Sequence, residues 1–271
     1  MLAETSKSGR FAPHGNFGTQ GGFIQKPHAV AGRGSRVKRF ARFVMRGGRR
    51  RVGAAGRLLA RPKLLLFDFD GTVADTFQCG LEILNLMAPV FKYRRLEDAD
   101  VSRARDMRTR ELMKFLGIPA TRMAKISQRG KEELNLRMDG IQPFDGMVEI
   151  LRSLHADGFR LGILTSNSEE NVAVFLKKFS IELFDFVCTS SKLTGKGRVI
   201  RKILKTHKRK PKQVLLVGDE VRDIEAAQET GIHMAAVTWG YNSRKAICSL
   251  NPDHVIETPE ELREMVCAIS A

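Results

Sequence analysis

Six short apolar runs, at residues 64–67, 161–164, 184–188, 214–217, 234–237 and 254–256, alternate with stretches of helical periodicity. Few folds accommodate that alternation. Strands that are apolar along nearly their whole length are buried on both faces, as in a parallel sheet with helices above and below. Between the runs, Val148, Leu151 and Leu154 share one helical face, as do Val172, Phe175, Leu176 and Phe179, and Val199, Ile200, Ile203 and Leu204. Punctuation agrees: Gly231 follows the helix through Ile224 and Ala227 as a C-terminal cap. Thr258, Pro259 and Glu261 form a capping box with proline at the first helical position. The pattern predicts an α/β, Rossmann-like parallel sheet.

Residues 77–142 break the alternation. They read as helix throughout, with interruptions near Pro89, at Gly117-Ile118-Pro119 and near Gly140. We expect an inserted all-α cap domain at 77–142 between the two parts of a core domain, 61–76 and 143–271. In an open α/β sheet, ligands bind outside the carboxyl ends of the strands. An insertion leaving the end of the first strand therefore lies over that site.

The charge is unevenly placed. Residues 1–60 hold 13 of the 46 Lys and Arg but one of the 30 Asp and Glu, which leaves a nearly neutral remainder behind a very basic extension. Residues 1–34 have the polar, Gly-rich composition expected of disorder. From 35 to 45, Val37, Phe40, Phe43 and Val44 form the apolar face of a short basic helix. Such a segment suits organelle targeting, contact with nucleic acid or an anionic membrane, or a tail preceding a true start at Met45. The apolar stretch after Arg49-Arg50-Arg51 is interrupted by Arg57 and runs into the first strand, which argues against an export signal. No apolar run reaches the roughly 20 residues of a membrane span. The four cysteines form no C-x-x-C pair, so a reducing compartment, cytoplasmic or organellar, is expected. Oligomeric state is not readable.

The chemistry lies at the strand ends. The first strand closes in Asp68-Phe69-Asp70-Gly71-Thr72 and the strand at 214–217 in Gly218-Asp219-Glu220-Val221-Arg222-Asp223. Two aspartates before a glycine are, alone, an ordinary turn. Two such pairs at one sheet edge would repel each other without a cation. Oxygen-only ligands suit Mg²⁺ better than zinc.

From about Lys63 onward the chain resembles the haloacid dehalogenase-like superfamily, in particular its phosphoglycolate phosphatase-like phosphatases with a helical cap. Four motifs in order carry the resemblance: Asp68 to Thr72; a strand ending in Thr165, followed by Ser166 and Asn167; Lys196 before a helix; and Gly218, Asp219 and Asp223. Trp239-Gly240-Tyr241 adds to it.

The resemblance implies that Asp68 attacks phosphorus and that Asp70 serves as acid and then base. It assigns Mg²⁺ to Asp68, the Asp70 backbone carbonyl, Asp219 and Asp223. It assigns the phosphate to Thr72, Thr165, an amide of Ser166 or Asn167, and Lys196. Lys196 is preferred over Lys192 because it directly precedes the helix. Four ionised aspartates against Mg²⁺ and one lysine leave room for one proton, and Asp70, off the metal, is its natural holder. The expected substrate is a small phosphorylated metabolite.

Other chemistries fit less well. Dehalogenase relatives lack the counterpart of Asp70. Phosphonate hydrolases use a cap lysine, but nothing in the sequence marks Lys92, Lys114, Lys125 or Lys131 as desolvated. Mutase relatives keep the same motifs and stay open. Arg105 and Arg110 are the cap cations expected to meet an anionic substrate tail, while Asp106 stands where relatives often have glycine. The rival class is a binding protein acting through the basic arm, whose affinity would fall steeply with salt.

Overall fold

The computed structural model describes residues 62–190 and 195–270. The basic segment with its amphipathic stretch, and Lys192, lie outside them. The described residues belong to one compact unit.

Its centre is a six-stranded sheet, all parallel, in the order β3-β2-β1-β4-β5-β6. The strands are β1 (Leu64–Phe67), β2 (Arg160–Thr165), β3 (Phe184–Thr189), β4 (Val214–Gly218), β5 (His233–Val237) and β6 (His254–Ile256). The period of two sorts each strand between two cores. Leu65 and Phe67 join the cluster covered by helices α5 (Met147–Ala156), α6 (Glu169–Lys178) and α10 (Pro259–Ala268). Leu64 and Leu66 face α7 (Lys196–Thr206), α8 (Val221–Thr230) and α9 (Arg244–Cys248). Gly162 on β2 is small for a reason: a Cβ there would lie 2.5 Å from the Phe186 ring on β3. Strand order reverses between β1 and β4, which opens a crevice at their carboxyl ends.

Four helices leave the end of β1 and return before α5: α1 (Phe77–Phe91), α2 (Asp98–Arg105), α3 (Thr109–Leu116) and α4 (Met123–Asn135). They bury their own apolar cluster around Ile83, Met87, Leu96, Leu116 and Ile126. The outgoing and incoming strands are tied together, with Asp75 N–H donating to Gln142 O at 2.9 Å and Ala74 bridging Pro143.

Two local expectations change. Pro89 does not end α1, which runs on to Phe91. The missing N–H would have served only the Asn85 carbonyl, one turn from the helix end, and Lys92 closes that end in the left-handed region at φ 55°. At α10, Thr258 Oγ1 accepts the Glu261 N–H as expected, but the Glu261 carboxylate takes the N–H of Glu257 rather than that of Thr258. Gly231, at φ 70°, caps α8 as read from the sequence.

Candidate active site

Asp68 is the first residue past β1, and its N–H donates to Val217 O at 2.8 Å, so the ladder between β1 and β4 fixes its backbone. Its side chain is buried. Lys196, at the start of α7, brings Nζ to 2.5 Å from both Asp68 Oδ2 and Asp223 Oδ1. Asp223 sits in the first turn of α8, where its Oδ2 accepts the Glu220 N–H at 3.2 Å. Asp219 accepts from Thr72 Oγ1 and from the Tyr241 N–H, each at 2.7 Å. Ligand oxygens of Asp68, Asp219 and Asp223 lie within 4.8 Å of one another.

Bare backbone makes that closeness possible. A Cβ on Gly71, itself at φ 76°, would lie 2.4 Å from Asp219 Oδ2, and one on Gly240 would lie 2.2 Å from the same atom. Any side chain at either position would displace Asp219.

Burial raises the carboxyls of this cluster. Asp223 is pushed up to about 7 by burial and by Asp68, with Lys196 opposing. Asp219 is driven well above its usual range by burial and by Asp68, Glu220 and Asp223. Asp68 is raised by burial, with Lys196 and Arg222 pulling it down. For Lys196, burial favours the neutral amine, but Asp223 and Asp68 outweigh it and hold the group above its ordinary value. Among the described residues, no cation comes within ion-pair distance of Asp219.

The loop after β2 forms the neighbouring wall. Thr165 Oγ1 accepts the Asn167 N–H at 2.9 Å, so of the two amides considered for phosphate, that of Asn167 is already engaged. Asn167 Oδ1 takes the Ser168 N–H and Asn171 Nδ2, each at 2.8 Å. Its Nδ2 is thereby turned to Asp70 Oδ1, at 3.0 Å. Sequence reading missed Arg222. Its guanidinium pairs with Glu220 and donates to Ser166 Oγ at 3.1 Å, close enough to Asp68 to affect its charge. A cation between two motif aspartates was the available signal. The added Arg222 and Glu220 cancel, so the charge count that left one proton is unchanged.

A cavity of about 300 Å³ opens from these residues into the four-helix insertion. Asp70, Ser166, Asn167 and Arg222 line its floor, and Leu84, Leu112, Met113 and Ile118 are among the apolar side chains of its far wall. Met107 and Met123 line the cavity too.

The cap arginines do not read the cavity as expected. Arg110 is exposed on α3 and is not among the lining residues. Arg105 reaches the cavity, but its Nη2 and Nε donate to Gly240 O at 2.7 Å and Tyr241 O at 3.1 Å, and its guanidinium lies over the Phe77 ring. Asn242 Nδ2 donates back to Arg105 O at 2.8 Å, and Asp106 binds Ser243 Oγ and Lys245 Nζ. Arg105 and Asp106 thus fasten the insertion to the segment after β5. Nothing local predicts this, because the acceptors are main-chain atoms some 135 residues away. Thr72 is likewise committed to Asp219, and does not line the cavity. The metal-type cluster includes the side chains of Asp68, Asp219 and Asp223 but not that of Asp70. No helix among the described residues is long and apolar enough to cross a membrane.

Comparison with known proteins agrees with this geometry. The model of the haloacid dehalogenase-like hydrolase family matches residues 65–237. A phosphoglycolate phosphatase of Synechococcus elongatus is 33% identical over 203 residues, covering 74% of this chain and 96% of that protein. The pyrophosphatase PpaX of Bacillus cereus is 26% identical over 221 residues, covering 74% of this chain and 95% of that one. In fold, the crystal structure of a predicted phosphatase from Clostridium acetobutylicum matches with a TM-score of 0.67 at 20% identity, covering 77% of this chain and all of the other. The strand-edge aspartates, the parallel sheet and these matches converge: the chain belongs to the haloacid dehalogenase-like hydrolase family, among its phosphatases.

Proposed function

We propose that the protein is a Mg²⁺-dependent phosphatase that hydrolyses a small phosphate monoester of the phosphoglycolate type through an aspartyl-phosphate on Asp68. The observation that carries the reading is the buried cluster of Asp68, Asp219, Asp223 and Lys196 at the sheet edge, two residues from Asp70, which lines the floor of the cavity. The donor set fits the ion. Three buried carboxylates supply only oxygen; burial raises them, and the charge of Asp68 adds to the rise at Asp219 and Asp223, which a hard divalent cation relieves. Asp68, Asp219 and Asp223 would hold it, together with the Asp70 carbonyl, and it would offset the repulsion between carboxylate and phosphate.

The remaining roles belong to the chain's own residues. An Asp68 oxygen attacks phosphorus, the bond to the leaving oxygen breaks, and Asp70 delivers a proton to that oxygen. Asp70 then takes a proton from the water that cleaves the acyl phosphate, which frees inorganic phosphate and restores Asp68. Asn167 Nδ2 holds the Asp70 carboxyl through Oδ1. Thr165, the Ser166 amide and Lys196 stabilise the transferring group. In this reading residues 77–142 are the cap domain and 61–76 with 143–271 the core. The relatives named for phosphoglycolate and for pyrophosphate support a small anionic substrate.

A panel of phosphate esters assayed with Mg²⁺ and with chelator tests it, with Asp68→Asn as the blank. Turnover of a small monoester that needs Mg²⁺ and vanishes in the blank is expected. Turnover that persists in Asp68→Asn would overturn the nucleophile.

A further inference from the structure

Three cations line the cavity: Arg105, Arg222 and Lys131. Two are already satisfied, Arg222 by Glu220 and Arg105 by the carbonyls of Gly240 and Tyr241. Lys131 differs. It projects from α4, is partly buried, and among the described residues its amine makes no ion pair or hydrogen bond. The other lysines of the insertion, Lys92, Lys114 and Lys125, do not line this cavity. An anion arriving in the cavity would supply the partner that Lys131 lacks among the described residues.

The position of Lys131 is held. Its carbonyl accepts Asn171 Nδ2 at 3.1 Å, and Asn135, one turn further along α4, donates to Asn171 Oδ1 at 2.6 Å. Asn171 in turn holds Asn167, which holds Asp70. The turn of α4 that carries Lys131 is therefore tied, through two buried asparagines, to the loop beside the reacting atoms.

We propose that Lys131 is the specificity residue of the cavity and binds a second anionic group on the leaving-group side of the substrate, a carboxylate or a second phosphoryl. The substrate is then a short ester with an anion at each end: the transferred phosphoryl at Asp68 and the tail at Lys131. This rests on the phosphatase reading and takes the place of the tail contact expected from Arg105 and Arg110.

The test compares kcat/KM of the parent, Lys131→Met and Lys131→Arg on 2-phosphoglycolate, on pyrophosphate and on ethyl phosphate, whose tail is neutral. Lys131→Met should lower kcat/KM for the anionic-tailed ester by roughly 10- to 100-fold, mainly through KM. Ethyl phosphate should change less than about threefold, and Lys131→Arg should retain the preference. Whichever of 2-phosphoglycolate and pyrophosphate loses more identifies the tail as carboxylate or phosphoryl. An equal loss on all three esters, or no loss on either anionic one, overturns the proposal. Calorimetric binding of 2-phosphoglycolate and pyrophosphate to Asp68→Asn, with and without Lys131→Met, reads the same contact without turnover. Failure of catalysis alongside Lys131-dependent binding would break the phosphatase reading and keep this one; Lys131-independent binding of both anions would overturn it.

Discussion

The sheet edge and the insertion are built on opposite plans. On the sheet side the charged groups are matched: Lys196 with Asp68 and Asp223, Arg222 with Glu220, Asp219 with a hydroxyl and an amide. On the insertion side the lining is mostly apolar, with one cation lacking a partner among the described residues. A wall of fixed, mutually polarising groups suits a step common to all substrates, because preorganised charges need not reorient during reaction. A wall of apolar contacts and one unpaired cation suits discrimination between leaving groups. In the proposed reading, reaction and selection are carried by different parts of the chain.

The largest test of that division is Asp70→Asn. Loss of the acid should lower kcat about 10²- to 10⁴-fold on alkyl phosphates, whose leaving oxygen needs a proton. On 4-nitrophenyl phosphate, which leaves as a stable anion, the initial burst of 4-nitrophenolate should be far less affected, while hydrolysis of the acyl phosphate, which needs Asp70 as base, stays slow. Equal rates for parent and variant on both esters would remove Asp70 from the mechanism. Next comes Arg105→Ala, which cuts the fastening between the walls. KM should rise roughly tenfold for every ester whatever its tail, since charge-assisted hydrogen bonds to backbone are lost rather than a substrate contact. A rise confined to anionic-tailed esters would move Arg105 from fastening to recognition.

Smaller effects distinguish the walls by the sign of their pH response. In chelator, Asp223 keeps its proton up to about pH 7, whereas an unfolded chain loses it near the ordinary carboxylate value. The folded state binds more protons over that window, so stability is present at low pH and falls as pH rises toward 7. Thermal midpoints in chelator should therefore drop from pH 5 to 7.5, and Mg²⁺ should abolish the drop. Midpoints that stay level in chelator would contradict it. Asp106 responds the other way: hydrogen bonds from Lys245 and Ser243 hold its carboxyl below the usual range. Its contribution is present at neutral pH and lost as pH falls through its folded-state value. Asp106→Ala should lower the midpoint slightly at pH 7, and the difference from the parent should disappear near pH 3.

Legibility in the sequence divides along the same line. The strands, and with them Asp68, Thr165 and Asp219, are readable because apolar runs fix where a strand ends, and the residues at or just past that end must lie at the sheet edge. Lys196 was readable for the same reason, one residue before the expected helix start. The partners of Arg105 were not, because main-chain carbonyls carry no side-chain signature. Lys131 could not be separated from Lys92, Lys114 and Lys125, since desolvation depends on how four helices pack. Arg222 stood in plain view inside the fourth motif, yet only the fold turns it toward Ser166 and Asp68.

The paired stem at the base of the insertion has a consequence for how such a protein can change. Phe144 N–H donates to Val73 O at 3.3 Å and Asp75 N–H to Gln142 O at 2.9 Å, so at the stem itself the chain is held by main-chain bonds indifferent to side-chain identity. Helices of another sequence, spliced between Thr76 and Gln142, would keep those bonds provided that they supply counterparts of Met138 and Ile141, which pack into one of the two sheet cores. New substrate preferences can then be acquired by exchanging one contiguous stretch of gene, while the strand-edge aspartates stay where they were.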